Sequence, residues 1–312
     1  MKLAAIDIGS SSSKLLISNV YDVGDWQPAI KKANLYRVPL RLGEDAFVSK
    51  RISPEKIKDL EKTLLAFRNL MDVCKVESHM ACATSALRNA DNAPQIIKDI
   101  KRRTGIDLQL LDGAEVAQLL GLNRMDRRFH ACACLYIDVG GGSTDLALLA
   151  NGQLVAAESF PIGIVRIQNG GIADEEWAAM KAWIRRNTVG YRPLSGVGAG
   201  GNINKIFKLT RKRQDKPLSF EKLREIHSAL EFLTYDERMV RLGLRPDRAD
   251  VIVPAGQLFL SVMKWAGISK LYVPQVGLGD GMIQYLYRTL NEKQNQTQSA
   301  ETEDTVDKKE DS

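Results

Sequence analysis

The pattern that most limits how this chain can fold is written twice. Leu135, Tyr136 and Ile137 run into Asp138-Val139-Gly140-Gly141-Gly142-Ser143-Thr144-Asp145, and an apolar stretch resumes from Leu146 to Leu149. Near the start, Leu3 to Ile8, broken only by Asp7, runs into Gly9-Ser10-Ser11-Ser12-Ser13 and resumes at Leu15, Leu16 and Ile17. An apolar run that stops at small polar residues and then resumes predicts strand, tight turn, strand. The turn residues suit phosphate. Glycines lack a Cβ, so their amides can close around an anion, and serine and threonine add hydroxyl donors. Asp7 and Asp138 stand where a divalent cation riding on phosphate oxygens needs hard ligands. Either turn alone also reads as a flexible polar loop; their shared grammar points to one phosphate site. We therefore expect Gly9, Ser10, Ser11, Ser12, Gly140, Gly141, Gly142, Ser143 and Thr144 to bind phosphate, and Asp7 and Asp138 to hold the metal. Lys14 follows the first turn and either reaches a phosphate or faces solvent.

A third glycine segment, Gly196-Val197-Gly198-Ala199-Gly200-Gly201-Asn202, closes an apolar run and opens the helical pattern Ile203 to Leu209. A glycine turn at a helix start offers N–H groups to an anion. That adds Gly198, Gly200, Gly201 and Asn202 to the phosphate-binding set, against the plainer reading of close helix-on-strand packing.

Strand and helix patterns alternate, which predicts an α/β fold. Ser53-Pro54 starts a helix, Asp91 caps another that Gly105 stops, and Asn151-Gly152 marks a hairpin. Because the strand–turn–strand unit of 3–17 recurs at 135–149, we expect a duplicated architecture. One domain spans 1–122 and a second 123–290, ending in a crossing helix. The tail 291–312 has no apolar periodicity and is expected to be disordered. Two such domains facing each other would put both turns across one cleft.

Net charge is +6, but the tail holds seven acidic and three basic residues, so the body carries the larger positive excess. That favours an anionic partner. Aromatics are 6% and no basic stripe is interleaved with them, which argues against specific nucleic-acid binding. No apolar run is long enough to span a membrane and no leader pattern opens the chain, so a cytoplasmic protein is expected. Cys132 and Cys134 should share one strand face, a poor disulfide geometry; with Cys74 and Cys82 they read as reduced core residues. His79, His130 and His227 are scattered and read as non-catalytic.

Several further segments fall in one order. They are Ala4 to Ser10, Ala83-Thr84-Ser85-Ala86-Leu87-Arg88-Asn89-Ala90, Asp138 to Leu146, Gly196 to Ile203, Arg248 to Gly256, and Gly277-Leu278-Gly279-Asp280-Gly281. Together they resemble the exopolyphosphatase and guanosine pentaphosphate phosphohydrolase (Ppx/GppA) family of the actin-like superfamily, over roughly residues 1 to 290. The resemblance implies two actin-like, ribonuclease H-like domains around a central cleft and a Mg2+ cofactor. It implies removal of the terminal phosphate from polyphosphate or guanosine pentaphosphate, with guanosine tetraphosphate as a further ligand and a place in the stringent response. It puts Arg88 beside the phosphate and allows a homodimer.

The chain departs from the family where catalysis is decided. The family's catalytic glutamate is the second of an adjacent pair in Gly-x-Glu-Glu-Ala, and here the segment is Gly113-Ala114-Glu115-Val116-Ala117. Valine can neither accept a proton nor orient a water. Glu115 would serve only in a shifted register, since on a helix it lies about 100° away. Ser11 stands for the usual asparagine and Gly279 for a frequent arginine. Three readings follow: a slow hydrolase, a relative that binds the same anions for regulation, and an ATP-dependent kinase or ATPase of the wider superfamily.

Overall fold

The computed structural model describes residues 1–23, 26–122 and 132–292. The expected domain boundary, His130 and nearly all of the acidic tail lie outside them. Leu3, Ala4, Ala5, Ile6 and Ile8 are all buried, as a strand covered on both faces requires. This strand, β1 (Lys2–Ile8), pairs antiparallel with β2 (Ser13–Val23), and β2 with β3 (Trp26–Val38). On the other side of β1 lie β4 (Ser78–Ala83) and β5 (Leu108–Leu110), both parallel, giving the order β3-β2-β1-β4-β5.

The second sheet repeats this plan. Strands β6 (Ala133–Val139), β7 (Thr144–Ala150) and β8 (Gln153–Phe160) form the antiparallel meander. β9 (Leu194–Ala199), β10 (Leu218–Ser219) and β11 (Lys270–Tyr272) complete the order β10-β11-β9-β6-β7-β8. Asn151 at φ 52° and Gly152 at φ 76° make the β7–β8 turn, as the Asn-Gly signal predicts.

The helices also follow local chemistry. The helix Pro54–Val73 begins with proline in its first turn, and Ala93–Thr104 ends at Gly105 with φ 72°, although Asn92 rather than Asp91 flanks its start. Cys82 and Cys134 are buried and Cys74 partly so, but Cys132 is exposed, because β6 begins only after it. None of the described helices is long and apolar enough to cross a membrane.

Side-chain alternation sorts β1 and β6 into two faces each. Ala4, Ile6 and Ile8 join a core with Leu60, Leu64 and Phe67, and Leu135, Ile137 and Val139 join one with Met180, Ile184 and Phe259. The opposite faces, Leu3 and Ala5 of β1 with Cys134 and Tyr136 of β6, enter one shared cluster. Two helices fill that cluster: Gly113–Gly121, through Val116, Leu119 and Leu120, and the helix over 278–292, through Leu278, Met282 and Ile283. They cross where Gly281 meets the Leu119 carbonyl, with no room for a Cβ.

That crossing gives a stability test. Gly281→Ala gains about 1 kcal/mol of helix propensity. It also drives a methyl into an immobile backbone oxygen, at an overpacking cost of about 1–3 kcal/mol. The collision should win, with a net loss of up to about 2 kcal/mol in urea unfolding. A variant more stable than the wild type would show that the helices do not press together there.

Candidate active site

The two strand turns are built alike. The Gly9 N–H donates to the Ser12 carbonyl at 3.1 Å, and the Gly140 N–H to the Ser143 carbonyl at 2.9 Å. They also meet. A Cβ on Gly141 would lie 2.5 Å from Ser11 Oγ and 3.1 Å from Ser10 Cβ. The crowding explains the glycine: any side chain there would part the turns. Behind the first turn, Ser10 Oγ and Ser85 Oγ share a hydrogen bond of 2.7 Å. The third segment joins them at Gly200, whose φ of 96° is a glycine conformation and whose Cβ position lies 2.8 Å from Asp138 Oδ1. One crevice is lined by Asp7, Gly9, Ser10, Ser11, Ser12 and Lys14 from the first half, and by Asp138, Gly140, Gly141, Ser143, Gly200, Gly201 and Asn202 from the second.

Strand register then fixes the charges. Residues directly opposite on paired strands point to the same face. On the first sheet Asp7 lies opposite Lys14, and Lys14 opposite Arg37. On the second, Asp138 lies opposite Asp145, and Asp145 opposite Ser159. The turns are equivalent but the partners are opposite in charge. Lys14 Nζ sits 2.7 Å from Asp7 Oδ2, and the carboxylate holds the ammonium above its ordinary pKa. Asp138 and Asp145 have no ion pair in contact among the described residues, and Lys14 relieves Asp138 only in part. Burial first, then the neighbouring Asp145 carboxylate, pushes Asp138 up to about 7. Burial likewise raises Asp145 to about 6, although the Ser159 and Ser143 hydroxyls donate to it and Arg88 lies near.

Two crowded carboxylates with phosphate donors beside them fit a Mg2+ ion, which takes one or two carboxylates and completes its shell with phosphate and water oxygens. Among the described residues no group of three or more His, Cys, Asp or Glu side chains could cage a metal. Asp138 and Asp145 are the better placed pair. Asp7, expected to share the metal, is engaged by Lys14.

Several expected residues lie apart from the crevice lining. Gly198 packs against Ile203, Leu271 and Phe259 inside the second core. Thr144 is fully buried and donates to the Ile162 carbonyl at 2.6 Å. Gly142 makes room for Phe47 and Ser85. Arg88 donates to the Leu111 carbonyl at 2.9 Å. Glu115 is exposed, and its carboxylate accepts the Asp112 N–H at 2.7 Å while Asp112 accepts the Glu115 N–H, a capping box at the helix start. The shifted register that would bring Glu115 to the substrate is therefore not adopted. Val116 does line the crevice, 4% exposed and part of the shared apolar cluster.

Three charged residues in the lining escaped sequence reasoning: Arg37, Asp145 and Arg248. Asp145 was signalled by its place, since it closes the second turn as Lys14 closes the first. Arg248 Nη1 donates to Asn202 Oδ1 at 2.7 Å, and burial with Arg37 nearby pushes its guanidinium down to about 10.

A model of the Ppx/GppA phosphatase family matches residues 34–290. Exopolyphosphatase 1 of Mycobacterium leprae is 24% identical over 304 residues, covering 91% of this chain and 88% of its own length. A solved exopolyphosphatase from Cytophaga hutchinsonii superposes with a TM-score of 0.78 at 23% identity, over 93% of this chain and 98% of that one. The Aquifex aeolicus member of the Ppx/GppA family gives 0.74 at 23% identity, over 93% and 99%. The structural likeness bears out the expected actin-like α/β fold.

The carboxylate pair makes a pH test. A carboxyl whose pKa is raised by folding holds its proton longer in the native state. Its contribution to stability is full below the ordinary carboxylate range and is lost as pH rises through about 6 and 7. Without metal, Asp138→Asn should melt close to the wild type at pH 5 and above it at pH 8. Parallel pH profiles for the two proteins would show that the pair is not crowded.

Proposed function

The chain belongs to the Ppx/GppA phosphatase family, and from that premise we propose a Mg2+-dependent phosphoanhydride hydrolase that slowly removes the terminal phosphate of inorganic polyphosphate or guanosine pentaphosphate. The observation that carries this reading is the meeting, in one crevice, of a row with surplus positive charge on the first sheet and a row of carboxylates on the second. Relatives described as exopolyphosphatases support the polyphosphate substrate; the guanosine nucleotide rests on the motif resemblance.

Phosphoryl transfer to water needs positioning and charge neutralisation more than covalent help. Asp138 and Asp145 would hold the Mg2+, which neutralises phosphoryl charge when bound. The hydroxyls of Ser10 and Ser12 and the amides of both turns donate to the terminal oxyanion. Lys14 and Arg248 offset charge along the chain. Arg88, tied to the Leu111 carbonyl, acts at one remove by fixing the approach to the helix Gly113–Gly121.

Orientation of the attacking water is the weak link. Val116 presents methyl groups, and Glu115 is spent on its cap. A positioned general base is worth about 10²- to 10⁴-fold, so what remains is electrostatic. The same buried valine favours a second reading, a protein that binds these anions for regulation with little turnover.

Phosphate release from polyphosphate and from guanosine pentaphosphate should be low and Mg2+-dependent. Val116→Glu, checked for folding by its melting temperature, should raise kcat by about 10²- to 10⁴-fold. Binding without release in both proteins would replace the hydrolase by the regulatory reading. Neither binding nor release would end both.

A further inference from the structure

Arg37 has no part in the chemistry assigned so far. It stands directly opposite Lys14 and lines the crevice. Its side chain is only 13% exposed, so an unshielded positive charge there is costly. Its Nη1 donates to Asp247 Oδ2, from the opposite half of the molecule. Its Nε is buried and has no hydrogen-bond partner among the described residues. A buried N–H left open on a group that already has a salt bridge is rare enough to need a reason. Arg248 lies close enough to repel it. Two guanidinium groups and Lys14 therefore share this end of the crevice, and an incoming anion would relieve them.

Position along the row says which anion. Asp7, Lys14 and Arg37 sit on successive strands, so Arg37 stands two strand spacings, about 9–10 Å, from the strand of Asp7. A terminal phosphoryl group held between the two turns lies at the near end of that row. A chain running outward from it meets Lys14 first and Arg37 next. A lone orthophosphate at the turns falls short of Arg37.

We propose that Arg37 is a phosphate ligand for an inner phosphoryl group of a condensed phosphate, and that Asp247 holds the guanidinium in wait until the chain displaces it. The assignment rests on the reading of the crevice as a phosphate-chain site. It gives that site a means of preferring chains over single phosphate. The guanidinium is suited to this role because its Nε–H and Nη–H form a fork that matches two phosphoryl oxygens. Exchange of Asp247 for phosphate keeps the charge paired throughout.

Calorimetry with Mg2+ on the full chain tests this, using orthophosphate and tripolyphosphate as probes. Arg37→Gln should weaken tripolyphosphate binding about 10- to 100-fold, the loss of a charge-assisted hydrogen bond, and leave orthophosphate unchanged. Asp247→Asn removes the competing carboxylate and should tighten tripolyphosphate binding. A purely structural latch would move both variants the same way, and that result overturns the proposal. So does an Arg37→Gln protein that binds tripolyphosphate like the wild type, or that loses both ligands equally. If Arg37→Gln does not fold, Arg37→Lys decides: it keeps the charge but loses the fork, and should bind tripolyphosphate several-fold more weakly while orthophosphate is untouched. Wild-type protein that binds neither probe removes the crevice reading itself, and this assignment with it. Wild-type binding with an indifferent Arg37 removes only the assignment.

Discussion

A strand can present a given side chain to one face only, and alternation along β1 and β6 decides everything that follows. Odd positions of β1 and even positions of β6 face the cluster shared by the two sheets. Leu3 and Ala5 line up under Asp7, and Cys134 and Tyr136 under Asp138. Each carboxylate therefore emerges at the end of an apolar face that is already committed to the other half of the molecule. Slipping either strand by one residue would turn its aspartate into a hydrophobic core and leave the crevice without it. The apolar contacts and the reactive groups obey the same constraint, so the site needs no separate device to align the halves.

Within that frame, a single pair of positions makes the duplicated halves different. The residue after the first turn and the residue after the second occupy equivalent places opposite an aspartate, and one is Lys14 while the other is Asp145. The first half is thereby neutralised from within and has cations to spare. The second is left with negative charge that burial makes expensive. A phosphate chain and a divalent cation are the complement of that imbalance, and neither sheet alone would attract both.

How much of this could be read from the sequence depended on whether the information was local. The turns were legible because their geometry dictates their residues: Gly141 has no room for a Cβ, and Gly200 has a backbone conformation that other residues avoid. Lys14 could not be settled without knowing that Asp7 lies across from it. Asp145 sat inside the motif, yet its effect on Asp138 exists only once the strands pair. Arg37 was out of reach, since β3 is largely exposed and already carries the surface pair Lys31 and Lys32, and β2–β3 pairing shifts register between Ile17 and Ser18. Gly198 and Glu115 show the converse. A glycine demanded by packing and a glutamate demanded by a helix cap look, in sequence, like a ligand and a catalyst.

The helix over 278–292 lies against surfaces contributed by β1 and β2, which are made long before it. At roughly 5–20 residues per second of synthesis, the apolar face carrying Leu3, Ala5 and Leu16 goes without that cover for about 15–50 s. During that interval the first sheet has one finished face and one sticky one. A nascent chain in this condition is prone to associate with others through that face until the helix fastens over it.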